Sequence, residues 1–504
     1  MKVQQFLEHH GQTQNPFSQE DAQTDSLFKQ HCSKGTFHPA WDKIYGDPGS
    51  PATAVVFGEK GSGKTALRLQ IVDHSANYNS EHPDKRVFII EYDDFNPFLD
   101  CFDGKISWPG GSPERTLGKW RLGDHIDCIL SLGVTKLIDD IFEERIQGKP
   151  GPFEVRGENL QNLTRPQKRD FLLLACLYDR STDAALQSRW TILRRKLRFP
   201  NWKTWREIVI GTAISLGVFG ILAEFGALSK FGNWWVWMMI VGGWVPWLSK
   251  QTRLGWVGWK IQRHIRVLER QFNTLRQTMA KFEQGDLAGQ PLPSRERSDD
   301  RYELLNKLQG ILQALGFETL TILVDRVDEP RLINGSAERM KAFLWPLFDN
   351  KFLKHAGLGI KLLLPVEVSL FLQREDREFY ERSRLDKQNL IRSLEWTGES
   401  LYDLANDRIR ACHPNLIDSG DSQPSTGLKS WFDDSINESE LVSILARLRV
   451  PRHLFKFLHR LLVEHCHRYT DESPRWQIGR ETLQSTMAVY MRDLEAYDRG
   501  LGTG

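Results

Sequence analysis

"GEKGSGKT", residues 58–65, lies between the apolar run "TAVVF" (53–57) and "ALRLQIV" (66–72). The run before it is short, rich in Val and Phe, and reads as a buried strand. The run after it reads as a helix through Leu67, Leu69 and Val72. Between them the spacing G-x-x-x-x-G-K-[ST] is met by Gly58, Gly63, Lys64 and Thr65. Glycines at these points let the backbone wrap a phosphate with its N–H groups pointing inward, and the helix start favours negative charge. The stretch therefore predicts a nucleotide loop made by Gly58, Gly61, Ser62, Gly63, Lys64, Thr65 and Ala66. Lys64 would reach the β- and γ-phosphates, and the Thr65 hydroxyl would ligate Mg²⁺. Strand, loop and helix in this order imply an α/β fold built on a parallel sheet.

Such a loop needs an acid at the end of a neighbouring strand to orient the metal. Further strands are read at "RVFIIEY" (86–92), "LTILVDRVDEP" (320–330), "GIKLLLPVEV" (359–368) and "NLIRSLEW" (389–396). Asp325, after "LTILV", is the expected Mg²⁺ partner of Thr65. Asp328 and Glu329 follow on the loop beyond, and either is a candidate catalytic base for the attacking water. The competing reading is that they cap the turn before Pro330. Glu367 stands just past "KLLLP", where a polar group contacts the attacking water. Arg452 in "VPRHLFKFLHRLL" (450–462) is a candidate sensor of the γ-phosphate, with Arg408 and Arg410 in "ANDRIRAC" (405–412) as rivals. No guanine-reading N-K-x-D string is present, so the expected cofactors are ATP and Mg²⁺.

The loop and its acid are far apart in the chain, and the composition changes between them. Residues 208–228, "IVIGTAISLGVFGILAEFGAL", carry one charge, Glu224, and residues 231–248, "FGNWWVWMMIVGGWVPWL", carry none. As helices they would span roughly 27 to 32 Å, near the hydrocarbon thickness of a bilayer. Trp202, Trp205, Trp256 and Trp259 flank the runs where an aromatic belt belongs. Basic residues crowd both outer flanks, Arg194, Arg195, Lys196, Arg198, Lys203 and Arg206 before, Lys250, Arg253, Lys260, Arg263 and Arg266 after. The joining turn carries only Lys230. The charge bias predicts two passes with both termini and the nucleotide loop on the cytoplasmic side of an inner membrane.

The flanks hold a second pattern. Ile261, Ile265, Leu268, Phe272, Leu275, Met279 and Phe282 alternate by four and three, a period of 3.5, and Leu186, Trp190, Leu193 and Leu197 share the spacing. Two antiparallel stalk helices are expected, joining the hairpin to the nucleotide domain and available for pairing between protomers. The rival is a basic amphipathic helix on anionic lipid, since Arg263, Arg266, Arg270 and Arg276 lie off the seam.

These readings divide the chain as follows. Residues 1–50 are an N-terminal extension anchored by Phe17, Leu27, Phe28 and Trp41. Residues 51–155 form the first part of the nucleotide domain, and 156–206 a stalk entering the membrane. Residues 207–249 are the hairpin, partnered by the lipid bilayer over Ile208 to Leu248, and 250–300 the returning stalk helix and linker. Residues 301–417 complete the nucleotide domain, and 418–504 form a loop and a C-terminal helical lid. Lys plus Arg is 67 against 65 Asp plus Glu, so nucleic acid is not an expected partner. Six scattered cysteines form no C-x-x-C pair, which argues against a zinc ribbon or disulfide framework. "HCH" (465–467) reads as a polar helix face. "MKVQQFLEHHGQTQNPF" has no apolar core of the signal-peptide kind.

A P-loop strand and helix, then a membrane hairpin inserted before an acid-ended strand, resembles the KAP family of P-loop NTPases. The motifs that carry the resemblance are "GEKGSGKT" and "ILVDRVDEP". It implies a membrane-associated, STAND-like ATPase whose transmembrane helices interrupt the NTPase domain. "VPRHLFKFL" is similar to the family's C-terminal Pro-Arg helix, which implies a sensor role for Arg452. Arg326 stands where the family has a second acid, and Glu329 where arginine is common. The expected function is ATP binding and hydrolysis as a signalling or defence switch. The alternatives are a non-hydrolysing ATP-binding scaffold, or a homo-oligomeric translocation or pore assembly.

Overall fold

The structure is a computed structural model, and it describes residues 1–106, 111–147, 153, 155, 159–181, 183–200, 206–224, 233–295, 298–348, 350–413 and 427–498. Trp202, Trp205, Lys203, the turn with Lys230 and residues 414–426, where the expected loop of 418–504 begins, lie outside these residues.

Five strands form one parallel sheet: β1 (Ala54–Gly58), β2 (Arg86–Tyr92), β3 (Phe317–Val324), β4 (Leu358–Pro365) and β5 (Asn389–Ile391), in the order β2-β3-β4-β1-β5. Ala54 pairs with Lys361 on one side and Asn389 on the other. Every residue of β1 and β4 is buried, as expected of parallel strands covered on both faces. Lys361 is the polar exception. Its ammonium donates to the carbonyls of Tyr45 (3.0 Å) and Ala52 (2.7 Å), and burial lowers its pKa to about 8.

The chain divides into two compact units. The first comprises Met1–Glu81, Leu323–Val327 and Leu358–Gly504. In it β1 leads into the helix Lys64–Glu81. Phe6, Leu7 and Phe17 share one hydrophobic core with Leu401, Leu454, Phe457 and Leu461 of the C-terminal helices, so the two chain ends build one helical layer. Phe17, Leu27, Phe28 and Trp41, the anchors expected of the N-terminal segment, are all buried. In "HCH", His465 and Cys466 are buried too. The expectation of a polar face fails there, because this turn closes the core: His465 Nε2 meets the Arg475 carbonyl at 2.8 Å.

The second unit comprises His82–Ile322 and Asp328–Gly357. Its centre is the long helix Leu122–Gln147 packed with Arg165–Tyr178 and Asp299–Ala314. Phe171 to Tyr178 are all buried, so the second half of that helix lies inside the unit, while its first turn, with Arg165 and Pro166, is exposed.

The stalk expectation is corrected here. The helix Trp234–His264 ends at His264, residues 265–271 are not helical, and a short helix, Phe272–Met279, follows. No Pro or Gly marks the break. The helix end and the segment after it are held by cationic side chains instead. Arg301 Nη2 donates to the His264 carbonyl (2.9 Å), and Lys105 Nζ donates to those of Ile265 (3.0 Å) and Leu268 (2.5 Å). The seam residues Ile261, Ile265, Leu275, Met279 and Phe282 are at most 1% exposed, and they pack inside the unit. Leu186, Trp190, Leu193 and Leu197 on Asp183–Lys196 are buried likewise, and Gln187 and Thr191 of that helix bond to Gln277 and Lys281. The expected side-by-side pairing exists as core packing rather than as an extended stalk. Arg266 and Arg270 face inward as well, toward Asp124 and the Leu177 and Ser181 carbonyls.

Arg206–Glu224 is the one helix among the described residues long and apolar enough to cross a membrane by length and composition. Trp234–His264 does not meet that test, since its apolar half is rich in tryptophan and holds Pro246. The two helices pack together. A Cβ at Gly211 would stand 3.0 Å from the Trp244 ring, and one at Gly243 would stand 2.9 Å from Ile214. Trp244 Nε1 donates to Ser215 Oγ (3.1 Å), and Lys250 pairs with Glu207 (2.9 Å). Gly217 and Gly220 meet nothing within 4 Å and do not serve this contact.

Candidate functional site

β1 ends in the loop, and the loop opens directly into the helix Lys64–Glu81. Gly61 and Gly63 take φ of +90° and +94°, a region that only glycine enters without strain. At Gly61 a side chain is also excluded by space, because its Cβ would stand 2.5 Å from the Arg452 Cβ. The turn is closed by the Ser62 N–H donating to the Glu59 carbonyl (3.1 Å). Lys64 Nζ donates to the Gly58 (2.8 Å) and Glu59 (2.9 Å) carbonyls. The sequence-predicted loop is therefore a compact turn at a helix N-terminus, with its lysine at the same turn.

Thr65 Oγ1 donates to Asp325 Oδ2 at 3.1 Å. Asp325 follows β3 and is 1% exposed. Its other oxygen accepts from the Arg326 N–H (3.0 Å). Arg68, one turn along the loop helix and 3% exposed, places Nε 3.5 Å from Asp325 Oδ2. Burial raises the Asp325 pKa, while Arg68 and the Thr65 hydroxyl pull it down. A hydroxyl and a carboxylate side by side are the hard oxygen donors that Mg²⁺ takes, so the residues present fit the metal. Arg326 itself has φ +59°, an uncommon conformation for a non-glycine residue.

The C-terminal helix Pro451–Arg468 begins against the loop. The Arg452 N–H donates to the Gly61 carbonyl (3.3 Å), and Pro451 Cγ lies 3.8 Å from where a Gly63 Cβ would stand. Trp396 Nε1 donates to the Ser62 carbonyl (2.9 Å). Arg452 Nε lies 3.7 Å from Glu20, which also faces Lys456 at 3.5 Å. The fold thus brings Arg452 to the loop. Arg408 is committed elsewhere, buried in an ion pair with Asp25 at 2.6 Å and bonded to the Pro16 carbonyl. Arg410 pairs with Asp407 at 3.7 Å on its own helix.

Asp328 and Glu329 belong to the second unit. The Asp328 carbonyl accepts from the Gly335 N–H (2.9 Å), and the Glu329 side chain is exposed. Glu367 is exposed in the first turn of the helix Val366–Gln373.

The first unit therefore gathers the loop, Thr65, Asp325 and Arg452. Reading the sequence missed Arg68, Trp396 and Glu20. Arg68 had a usable signal, since it lies four residues after Lys64 and three after Thr65 on one helix face. Trp396 and Glu20 had none, because the fold alone brings them to the loop. No protein-family model, no curated protein and no solved structure matches this chain.

Proposed function

We propose that the chain is a membrane-anchored P-loop nucleoside triphosphatase of the KAP kind, which binds ATP with Mg²⁺ and hydrolyses it as a switch. The observation that carries the reading is the 3.1 Å bond between Thr65 and Asp325, residues 260 positions apart. One follows a glycine turn at a helix N-terminus, and the other ends a strand of the same sheet. The backbone N–H groups of 61–65 and Lys64 would hold the β- and γ-phosphates, and Thr65 and Asp325 would hold the metal. Bound Mg²⁺ would neutralise charge on the phosphates. Arg452, fixed by its own backbone to Gly61, would report the γ-phosphate to the C-terminal helices.

The anchor is the pair Arg206–Glu224 and the first half of Trp234–His264. Support comes from their outward faces, where Val209, Leu216, Phe219, Trp237, Met238 and Val241 are each at least half exposed. Apolar side chains at this density ask for cover, and a bilayer supplies it on all sides. Anionic lipid would suit Arg206 and Arg253, exposed at the flank.

ATP turnover and binding by detergent-purified protein test the proposal, beside Lys64→Ala and Asp325→Asn. Lys64→Ala should weaken ATP binding at least tenfold, and Asp325→Asn should lower Mg²⁺-dependent turnover by about a hundredfold. Turnover unchanged in both variants would sink the reading. ATP binding without turnover in the wild type would favour a second reading, a nucleotide-binding scaffold. The exposure of Glu329 and the strained Arg326 beside Asp325 are the observations on its side.

A further inference from the structure

Two helix starts meet at the nucleotide loop, those of Lys64–Glu81 and Pro451–Arg468, and both favour negative charge. Arg452 lies across the loop. Its N–H donates to the Gly61 carbonyl (3.3 Å), and its Cβ, Cγ and Cδ stand 2.5, 3.2 and 2.9 Å from where a Gly61 Cβ would be. From there the side chain reaches Glu20, with Nε 3.7 Å from Oε2. Lys456, one turn further along the helix, brings Nζ to 3.5 Å from the same oxygen. Two cations therefore converge on one point, a single arginine side chain away from the loop.

These contacts are loose, since a charge-assisted bond runs at about 2.7 to 2.9 Å. The Arg452 Nε atom is buried and makes no hydrogen bond among the described residues. Glu20 is the only acid paired with either cation among the described residues, so two positive charges face one negative. Arg408 in the same unit shows the locked arrangement, at 2.6 Å from Asp25 and with a carbonyl bond beside it. The side chains of Glu20, Arg452 and Lys456 are all partly exposed, so a solute can reach them.

Glu20 is nevertheless held in place, on a strap of chain fixed from two sides. Arg408 of the helix Gly398–Ala411 donates to the Pro16 (2.6 Å) and Gln19 (3.5 Å) carbonyls before Glu20, and pairs with Asp25 after it. The same guanidinium lies 4.4 Å from the centre of the Phe455 ring, on which Phe17 stacks at 6.2 Å. A carboxylate pinned on both sides yet loosely paired is placed for exchange. Pairs this exposed add little to stability.

We propose that Arg452 and Lys456 together bind the terminal phosphate of a nucleoside triphosphate, and that Glu20 competes with that phosphate for them. The inference rests on the nucleotide reading above and adds to it a means of telling a triphosphate from a diphosphate. A terminal phosphate carries more charge and more acceptor oxygens than a carboxylate. It can therefore take both cations, where Glu20 offers them one oxygen. A diphosphate, held by the loop and Lys64, leaves the pair with Glu20.

The test uses the full chain in detergent with Mg²⁺, and calorimetry reads its affinity for ADP and for the β,γ-imido analogue of ATP. Glu20→Gln keeps the shape of the side chain and removes its charge. It should tighten binding of the analogue about threefold and leave ADP unchanged. Lys456→Met should weaken the analogue about fivefold, again with no effect on ADP. In the double variant Arg452→Ala with Lys456→Met, adding Glu20→Gln should change nothing further. The substituted side chains are partly exposed, and an unchanged melting temperature without nucleotide checks that each variant is folded. Glu20→Gln that shifts both nucleotides alike, or neither, in a chain whose wild type binds both would overturn this inference alone. An analogue affinity that Lys456→Met leaves untouched would do the same. Failure of the wild type to bind either nucleotide would overturn the reading of the loop as well.

Discussion

Two buried acids, one in each unit, differ in how closely an arginine holds them. Asp127 in the second unit is 0% exposed and fully engaged, by Arg301 on one oxygen and Tyr178 on the other. Asp325 in the first unit is 1% exposed and has a hydroxyl and its neighbour's backbone N–H, with Arg68 at 3.5 Å. Burial pushes both pKa values up, that of Asp127 to about 6. Burial therefore does not separate a structural acid from a candidate metal-binding one. The distance to the arginine does. Arg301 bonds Asp127 at 2.9 Å, whereas Arg68 stands off from Asp325 at 3.5 Å and leaves room for a cation to share the carboxylate with the Thr65 hydroxyl.

Removing a partner breaks the comparison most sharply on the structural side. Arg301→Met leaves Asp127 buried and without its counter-charge. It is expected to destabilise the fold by about 3 to 5 kcal/mol, measured by urea denaturation. A loss below about 1 kcal/mol would mean that Asp127 takes a proton or water instead.

A smaller effect comes from the histidine two residues before Asp127. His125 is fully buried, with Nε2 2.8 Å from the Phe343 carbonyl and Nδ1 3.1 Å from the Tyr92 hydroxyl. A carbonyl only accepts, so Nε2 carries the proton and Nδ1 accepts from Tyr92 in the neutral ring. Burial lowers its pKa from 6.5 to about 3. The unfolded chain therefore binds a proton that the folded chain refuses. This contribution to stability is complete above pH 6.5 and is lost as pH falls from 6.5 toward 3. At pH 5 the loss is about 2 kcal/mol. His125→Gln should remove that part of the pH dependence, seen by comparing denaturation at pH 7 and pH 5. Identical slopes for variant and wild type would refute it.

The smallest expected change is on the functional side. A raised pKa means that Asp325 contributes stability below its unfolded pKa and loses it as pH rises through the folded value. At neutral pH the ionised form is then a cost. Asp325→Asn should leave the melting temperature unchanged or raise it by a few degrees, equivalent to about 1 kcal/mol or less, even where turnover falls. A marked drop in melting temperature would put Asp325 with Asp127, as a structural acid.

The strands were legible because each is a short apolar run closed by turn residues, and β2 coincides with "RVFIIEY" to the residue. The loop was legible because its glycines answer a local need for positive φ. The seam at 261–282 was misread for a physical reason. A 3.5 period records which side chains are covered, not what covers them. Here the cover is the body of the second unit, and the helix stops at His264, where Arg301 takes its last carbonyl and Lys105 takes those of Ile265 and Leu268 beyond it. The same limit hid Trp396 and Glu20. Contacts made through a backbone carbonyl or a distant acid leave no spacing to read.

The order of strands in the sheet has a consequence for synthesis on the ribosome. β1 lies between β4 and β5, and neither exists until residue 358 has been translated. About 300 residues must follow "AVVFG" before its first partner emerges. At typical elongation speeds that takes about 15 to 60 s. For this interval an apolar strand with two unpaired edges waits in the nascent chain, a known hazard for aggregation. Much of the second unit emerges in the meantime. The interruption of the first unit is thus also a delay in time, and holdase chaperones have their window on residues 54–58.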